Sequence, residues 1–151
     1  EYQERSSQKA WIVIMKIVID TNMIIAALIK DSKAREIIMS RKFDFISPDF
    51  VLDEIYKYED YICKKAGLTK DEFELLMALV FEKISIIAAD EYEAYKNDAM
   101  AIMKEDVKDV PYVACYLALK SDGIWTNDPD YKGKGIRVFS AGELLELMEK
   151  N

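Results

Sequence analysis

The sequence predicts an α/β fold in which a parallel β-sheet is covered by helices on both faces. Short runs of β-branched and apolar residues alternate with longer helical stretches, and this alternation is typical of parallel sheets. The chain has 151 residues, about half of them apolar, which is enough for one domain with a substantial core. The runs predicted as strands are "KIVID", "FDFIS", "ISIIAA", "GIWTN" and "IRVFS".

In the first half of the chain, the predicted strand that ends in Asp20 is followed by two helices, "NMIIAALIK" and "SKAREIIMSRK". After the second strand, the sequence predicts a single long helix over "SPDFVLDEIYKYEDYICKKAG". We expect Ser47 to be its N-cap and Pro48 to lie in its first turn, and we expect Gly67 to end it.

The second half of the chain continues the alternation. The helix "TKDEFELLMALVFEK" begins with Thr69 and Glu72 at the spacing of a capping box. Another helix is predicted over "DEYEAYKNDAMAIMK", and "PYVACYLALKSD" is so apolar that we expect a helix buried on most sides, with Cys115 in the core. The last helix, "AGELLELMEK", follows Ser140, which has capping-box spacing to Glu143.

The first residues are set apart from this fold. Residues 1–14 are interpreted as a non-native or disordered extension, with Met15 as a native start, and residues 15–151 as a single domain. In the alternative interpretation, residues 11–14 lengthen the first strand. The apolar run "WIVIMKIVI" is interrupted by Lys16 and is too short to span a bilayer, and it lacks the flanks of a signal peptide. We therefore expect a cytoplasmic protein without a membrane partner.

Composition excludes several kinds of catalytic site. The chain contains no histidine, which excludes Ser-His-Asp and Cys-His systems and histidine-rich zinc sites. Its two cysteines, Cys63 and Cys115, lack the spacing of a zinc site and are expected to be free thiols. The formal net charge of −7 indicates no overall basic surface for nucleic acid. An acidic site, however, changes its local charge when it binds a divalent cation.

Acidic residues are predicted to meet at one edge of the sheet. Asp20 ends the first strand and Asp128 follows the fourth, and sites in parallel sheets form beyond the carboxyl ends of the strands. Glu54 and Asp109 lie near the starts of helices that begin at the same edge. Because clustered carboxylates repel one another, we expect a hard divalent cation, Mg²⁺ or Mn²⁺, among them.

Each of these acids also has an ordinary structural interpretation. Asp20 and Asp128 suit a turn at the end of a strand, Glu54 suits a solvated helix face, and Asp109 suits an N-cap. A functional role is favoured for each of the four residues only because all four are expected at the same edge of the sheet.

The register near Asp109 leaves alternatives open, since Glu105 and Asp106 lie close before it. We prefer Asp109 because it directly precedes the predicted helix start at residues 110–111. A second set of short polar residues is expected to orient the carboxylates or a water molecule, although for the last of them a simple turn role is preferred: Asn22, Thr126, Asn127 and Asp130.

Around these acids the sequence contains, in order, "IDTN", "LDEI", "DVPYVACYLAL" and "GIWTNDPDY". This ordered set resembles the PIN domain family from about Lys16 to the C-terminus, although Tyr131 stands where the family often has Phe. The resemblance implies a three-layer α/β/α sandwich with a central parallel five-stranded sheet. It also implies that one or two Mg²⁺ or Mn²⁺ ions are bound by Asp20, Glu54, Asp109 and Asp128.

The resemblance further implies metal-dependent cleavage of RNA, so RNA is the expected substrate. Many prokaryotic members are toxins held inactive by a cognate antitoxin, and dimers are frequent. The apolar helix "NMIIAALI" is accordingly expected to face an antitoxin or a second copy, or else the core. The cations expected to hold RNA at the rim are Lys30, Lys33, Arg35, Lys132 and Lys134.

Two other functions remain open at this point. The main alternative is a non-catalytic module of the same fold that binds RNA or a protein. The other is a Mg²⁺-dependent phosphatase or phosphoreceiver domain. A haloacid-dehalogenase-type phosphatase would have an acid two residues after Asp20, where Asn22 stands, and a receiver domain would have a pair of acids where the first strand offers only Asp20.

Overall fold

A computed structural model describes residues 14–30 and 32–150 of the chain. The expected extension over residues 1–14 lies outside these ranges except for Ile14, and so does most of the alternative start of the first strand at residues 11–14. Within the described ranges, every helix is too short or too polar to cross a lipid bilayer.

Five parallel strands form one sheet, as the sequence predicts. They are β1 (Lys16–Ile19), β2 (Asp44–Pro48), β3 (Ile84–Ile87), β4 (Gly123–Trp125) and β5 (Val138–Phe139). Their order across the sheet is β3–β2–β1–β4–β5, so β1 is central and β4 is its direct neighbour. The carboxyl ends of β1 and β4 therefore lie side by side.

Helices cover both faces of this sheet. They are α1 (Thr21–Ile29), α2 (Lys33–Met39), α3 (Phe50–Lys57), α4 (Glu59–Ala66), α5 (Lys70–Phe81), α6 (Ala89–Tyr92), α7 (Lys96–Met103), α8 (Val110–Ala118) and α9 (Ala141–Lys150).

Side chains that alternate along the strands enter two separate cores. On one face, Ile17 and Ile19 of β1 pack with α1 to α5 and with α9. On the other face, Val18 packs with α6, α7 and α8. The molecule is thus a three-layer α/β/α sandwich with a central parallel five-stranded sheet, which confirms the predicted fold class.

The long helix predicted after β2 is instead two helices, and its predicted start was wrong. Ser47 and Pro48 belong to β2, because the pairing of β2 with β3 continues to the pair Pro48 and Ile87. The buried Ser47 hydroxyl donates to the Ile19 carbonyl at 3.0 Å, so it joins two strands and caps no helix. The strand pairing overrides the local Ser-Pro signal.

The break between the two helices lies at Tyr58, whose backbone leaves the helical region (φ −103°, ψ 14°). Other predicted boundaries are confirmed. Gly67 ends α4 in the left-handed region with φ of 70°. Thr69 opens α5 with a complete capping box, and Ser140 exchanges two hydrogen bonds with Glu143 at the start of α9.

The helix predicted over residues 90–104 is also broken. The Asp49 carboxylate accepts hydrogen bonds from the Ala89 N–H at 3.1 Å and from the Tyr92 hydroxyl at 2.8 Å. These bonds fix α6 near the end of β2. The chain then passes through a 3₁₀ turn, Glu93–Tyr95, before α7 begins.

The apolar helix α8 is buried as expected. A 3₁₀ turn over Val107–Asp109 leads into it, and Cys115 at its centre is fully buried. Cys115 and the half-buried Cys63 are both free thiols, as predicted.

Candidate active site

Asp20 is fixed at the junction between β1 and α1. Its N–H donates to the Trp125 carbonyl of β4 at 3.3 Å, which continues the pairing of the two strands. Its Oδ1 atom accepts from the Met23 N–H at 3.1 Å and so caps α1, and its Oδ2 atom accepts from the Thr126 hydroxyl. Burial raises the pKa of Asp20, the hydrogen bond from Thr126 opposes this shift, and the nearby charge of Asp128 adds to it.

The turn after β4 carries Asp128 towards Asp20. The Asp128 N–H donates to the Thr126 hydroxyl at 3.0 Å, so Thr126 contacts both acids. The Asp128 Oδ1 atom accepts from the Asp130 N–H at 2.9 Å, which is the turn role expected of an Asp at this position. The Oδ2 atom lies 3.9 Å from Lys108 Nζ. The turn role therefore uses the Oδ1 atom of Asp128 and leaves its Oδ2 atom at the cleft.

Asp109 brings a third carboxyl group to this edge from the turn before α8. The residue is only 6% exposed, and within the described part of the chain its Oδ2 atom has no hydrogen-bond partner. Burial, and then the charge of Asp128, raise the pKa of Asp109 to about 6. A buried carboxyl oxygen without a partner is unfavourable unless a proton or a cation supplies the missing interaction.

Tyr131 lies beside Asp109. Its hydroxyl is buried and likewise lacks a partner of good geometry among the described residues. The presence of this hydroxyl opposes the rise in the pKa of Asp109, while Asp109 contributes after burial to a raised pKa of Tyr131. The position at which the resemblance leads us to expect Phe therefore places a polar group next to a site acid.

Asp130 joins Asp109 and Asp128 in a compact acidic group. One carboxylate oxygen from each of the three lies within 4.8 Å of the other two. Asp130 reaches this position because Pro129–Tyr131 forms a 3₁₀ turn directly after Asp128. The sequence favours a turn role for Asp130. The structure gives that role to its backbone and places its carboxylate among the site acids.

Glu54 approaches the same place from α3. It is half-buried and forms an ion pair with Lys57 at 3.2 Å. It lines an open cleft of about 440 Å³ together with Asp20, Asp109 and Asp128. The structure thus brings the four predicted acids to one cleft, whose other lining residues are Thr21, Asn22, Phe50, Tyr58, Val107, Lys108, Pro111 and Tyr112.

The second set of predicted residues is divided by the structure. Asn22 lines the cleft, and Thr126 is buried behind it. Asn127 is exposed on the turn. Asp106, one of the two acids that the sequence leaves open as an alternative to Asp109, forms an ion pair with Lys134 at 3.7 Å.

Two of the cations expected at the rim serve elsewhere. Arg35 donates to the carbonyls of Ala27 and Leu28, which stabilises the end of α1, and Lys134 pairs with Asp106. Three others lie on exposed surface: Lys30, Lys33 and Lys132.

Sequence reasoning missed several residues of the cleft. Lys108 is the cation next to Asp128, and its position between two acids gave no distinct sequence signal. Tyr112 lies in the apolar helix and is part of the core, but sequence reasoning gave no role to its hydroxyl. This hydroxyl accepts from the Thr21 N–H at 3.1 Å and also bonds the Thr21 hydroxyl, which fixes the residue that follows Asp20.

The donor set suits a hard divalent cation. Its members are carboxylate oxygens, which Mg²⁺ and Mn²⁺ prefer. Among the described residues, Asp109 Oδ2 accepts no hydrogen bond of good geometry, although the Tyr131 hydroxyl lies beside Asp109, so this oxygen is available to a cation. The residues present therefore fit the cation that the sequence predicts.

Comparison with known proteins gives a consistent result. The family model described as PIN domain matches residues 18–149. A search of curated protein sequences finds no match. The fold is similar to that of a solved chain in "Toxin-antitoxin complex from Klebsiella pneumoniae", with a TM-score of 0.61 and 15% identity over 83% of this chain and 97% of that one. Since the family model spans most of the sequence, the chain belongs to the PIN domain family.

Proposed function

We propose that the chain is a metal-dependent endoribonuclease that hydrolyses RNA phosphodiester bonds at the acidic cleft. One observation carries the proposal: a buried oxygen of Asp109, unpartnered among the described residues, lies within a group of carboxylates. A cluster that served only the fold would be expected to satisfy this oxygen internally. Membership of the PIN domain family, whose members are generally nucleases, supports the same function.

In this proposal, four acids that line one cleft would hold Mg²⁺ or Mn²⁺: Asp20, Glu54, Asp109 and Asp128. Asp130 lies beside Asp109 and Asp128 and would supply a further oxygen. When bound there, the ion would supply positive charge to the phosphate and would lower the pKa of a water molecule, so that no histidine would be needed to generate a nucleophile. Thr126 and the Met23 N–H keep Asp20 in a fixed orientation.

The remaining steps use the partly exposed side chains. Glu54 lines the cleft and is only half-buried, so besides facing the ion it would be able to accept the proton of the attacking water. Lys108, at the rim, contributes positive charge where the RNA phosphate enters. Hydrolysis would break the bond between phosphorus and the 3′-oxygen, which would take up a proton from solvent, and would leave a 5′-phosphate and a 3′-hydroxyl, as the resemblance implies.

We also infer a protein partner. The similar solved chain comes from a toxin-antitoxin complex, which supports a toxin role with a cognate antitoxin for this chain. A homodimer stays a prediction. In α1, Ile24 and Leu28 belong to the core, as one interpretation expects, whereas Ile25 and Ile29 are half-buried at the surface.

The test is RNA cleavage by the purified protein with Mg²⁺, with Mn²⁺ and with EDTA. We expect cleavage in the first two conditions and none in the third, and we expect Asp20→Asn to abolish it. Glu54→Gln should also reduce cleavage strongly, whereas its matched control Asp53→Asn should cleave like the wild type, since Asp53 is exposed on the same helix and does not line the cleft. A folded wild-type protein that binds RNA without cleaving it in either metal would support the non-catalytic alternative.

A further inference from the structure

A strip of side chains along α4 leads away from the acidic cleft. We define the α4 strip as Tyr58, Tyr61, Lys64 and Lys65. Tyr58 is 49% exposed and Tyr61 is 54% exposed, and both lysines are exposed. The nearby Tyr56 differs, because its hydroxyl donates to Glu74 and its ring contacts Phe73. Tyr58 and Tyr61 are contiguous with the apolar residues Ile25 and Ile29, and a contiguous exposed patch of this kind suggests a binding role.

Helix geometry puts these side chains on one side of α4. Successive residues of a helix are rotated by about 100°, so Tyr61 and Lys65 lie about 40° apart, and Lys64 lies about 60° from Tyr61. Tyr58, directly before α4, lines the same groove as Tyr61. The helical acids Glu59 and Asp60 are paired with Lys70 at 3.3 and 3.4 Å, and Asp60 lies one turn before Lys64. The strip itself carries two positive charges and no acid, in a chain whose net charge is −7.

The strip is continuous with the candidate active site. A groove of about 390 Å³ between α1 and α4 is lined by Ile25, Ala26, Ile29 and Tyr61, and it shares Asn22 and Tyr58 with the acidic cleft. A further hollow joins Tyr61 to Lys64 and Lys65. A ligand that leaves the cleft past Tyr58 thus meets first an aromatic and apolar floor and then two cations.

The charges of the strip favour a polyanion. Neither Lys64 nor Lys65 forms an ion pair with any residue in the ranges that the structure describes. Exposed aromatic rings that alternate with cations are the features with which proteins bind single-stranded nucleic acid, by stacking bases and contacting phosphates. The span from Tyr58 to Lys65 is about 10 Å, which accommodates roughly three bases at the 3.4 Å spacing of a stacked strand.

We propose that the α4 strip binds the single-stranded RNA that flanks the cleavage site, with bases stacked on Tyr58 and Tyr61 and phosphates at Lys64 and Lys65. This proposal rests on the proposed ribonuclease function and adds the place where the strand beside the cleavage site is held. Because Tyr58 also lines the cleft, the strip sets how the strand enters. A protein helix is the other conceivable occupant of the groove, but two unpaired lysines beside the rings favour RNA.

Binding is measured in the Asp20→Asn background, which prevents cleavage, with a fluorescent single-stranded RNA and with the same sequence annealed to its complement. We expect Tyr61→Ala to weaken binding of the single strand by about 10-fold, the order expected for one lost stacking contact, whereas Tyr61→Phe binds like the parent. The paired variant Lys64→Gln/Lys65→Gln should reduce the slope of log affinity against log salt by about 1.4. The control variants are Tyr95→Ala and Lys96→Gln, exposed residues in the opposite layer.

Cleavage separates this proposal from the ribonuclease proposal. In the active background, strip variants should raise KM for a long RNA, with little change in kcat, and should cleave a dinucleotide like the wild type. If the wild type cleaves RNA and the strip variants match it in affinity and salt slope, the strip proposal is overturned, the nuclease stands and the groove is left to a protein. If the wild type fails to cleave but binding still depends on the strip, the nuclease proposal fails and RNA binding stands.

Discussion

The Thr126 hydroxyl is the one contact that joins Asp20 directly to the turn of Asp128 among the described residues. It donates to the Asp20 carboxylate and accepts the Asp128 N–H. Groups of this kind orient metal ligands although they do not bind the metal themselves. Thr126 therefore determines the relative positions of two site acids.

Replacing Thr126 with Val removes this hydroxyl and keeps the branched shape of the side chain. The buried Asp20 carboxylate then loses a hydrogen bond, and the Asp128 N–H loses the hydroxyl that accepts its hydrogen bond. We expect metal-dependent RNA cleavage to fall by about 10- to 100-fold, the usual effect of removing a group that orients a ligand. Thr126→Ser keeps the hydroxyl and should retain most of the activity. Wild-type cleavage by the Val variant would show that the hydroxyl has no orienting role.

The raised pKa of Asp109 predicts how the stability of the metal-free protein depends on pH. Its ordinary value is 3.8 and its value in the fold is about 6, so between these values the folded protein holds a proton that the unfolded chain releases. The resulting stabilisation is complete below about pH 4 and is lost as the pH rises through about 6. From about pH 5 to about pH 7.5, Asp109 should lower the free energy of unfolding by on the order of 1 kcal/mol.

Urea unfolding in EDTA at these two pH values measures this effect. The Asp109→Asn variant cannot titrate at this position, so its stability should change less with pH than that of the wild type. Asp53→Asn removes an exposed acid and should leave the difference unchanged. An identical pH dependence in wild type and Asp109→Asn would contradict a raised pKa at Asp109.

Among the helices and strands, the boundaries that depend on neighbouring residues were predicted correctly, whereas the one that depends on long-range strand pairing was not. The caps at Gly67, Thr69 and Ser140 depend on neighbouring residues, and they are where the sequence predicts them. Ser47 has the same local pattern as a helix cap, but the pairing of β2 with β3 assigns it to a strand. A single sequence contains no local signal for that pairing.

The break at Tyr58 has a consequence for the site. A continuous helix over residues 47–67 would extend in the direction of α3. The break at Tyr58 instead allows α4 to pack along α1, and it places Tyr58 at the cleft. Tyr112 was also only partly predictable. An apolar helix pattern places its ring in the core but gives no sign that its hydroxyl bonds Thr21. The acids were predictable because parallel strands end at a common edge, which is a property of the whole fold class.

A pair of glycines provides a test of helix boundaries. Gly67 has φ of 70°, and an added Cβ would meet no atom within 4 Å, so Gly67→Ala is unfavourable through its backbone alone. We expect it to lower stability by about 1 to 2 kcal/mol. Gly142 lies inside α9, where Gly142→Ala should raise stability by about 0.5 to 1 kcal/mol. Thermal melts should show opposite shifts of a few degrees, and shifts of the same sign would contradict these assignments.

For the molecule as a whole, the strand order decides where charge accumulates. Because β1 and β4 are neighbours, Asp20 and Asp128 lie side by side at the ends of these strands. The turn before α8 adds Asp109 from the helix layer that packs on Val18. A chain with a net charge of −7 thereby concentrates several acids in one cleft. Repulsion among them destabilises the metal-free fold and favours a cation, so stability and metal binding are linked.

This linkage predicts how metal changes the stability of the whole molecule. At about ten times its Kd, a metal that binds only the folded state contributes about 1.4 kcal/mol, or a few degrees in the melting temperature. We expect this gain with Mg²⁺ or Mn²⁺ in the wild type and much less in Asp128→Asn, which loses an oxygen donor next to Asp109 and Asp130. In EDTA, Asp128→Asn should be as stable as the wild type or more stable, because one repelling charge is gone.

The matched control for this experiment is Glu149→Gln, which removes one exposed acid from α9. Its metal-induced shift should equal that of the wild type, since Glu149 does not line the cleft. Melts of the three proteins at fixed ionic strength separate site binding from general screening, because screening acts on all exposed charges alike. Equal shifts in all three would mean that Asp128 serves only its turn, through the bond from the Asp130 N–H, and that the cation is held elsewhere.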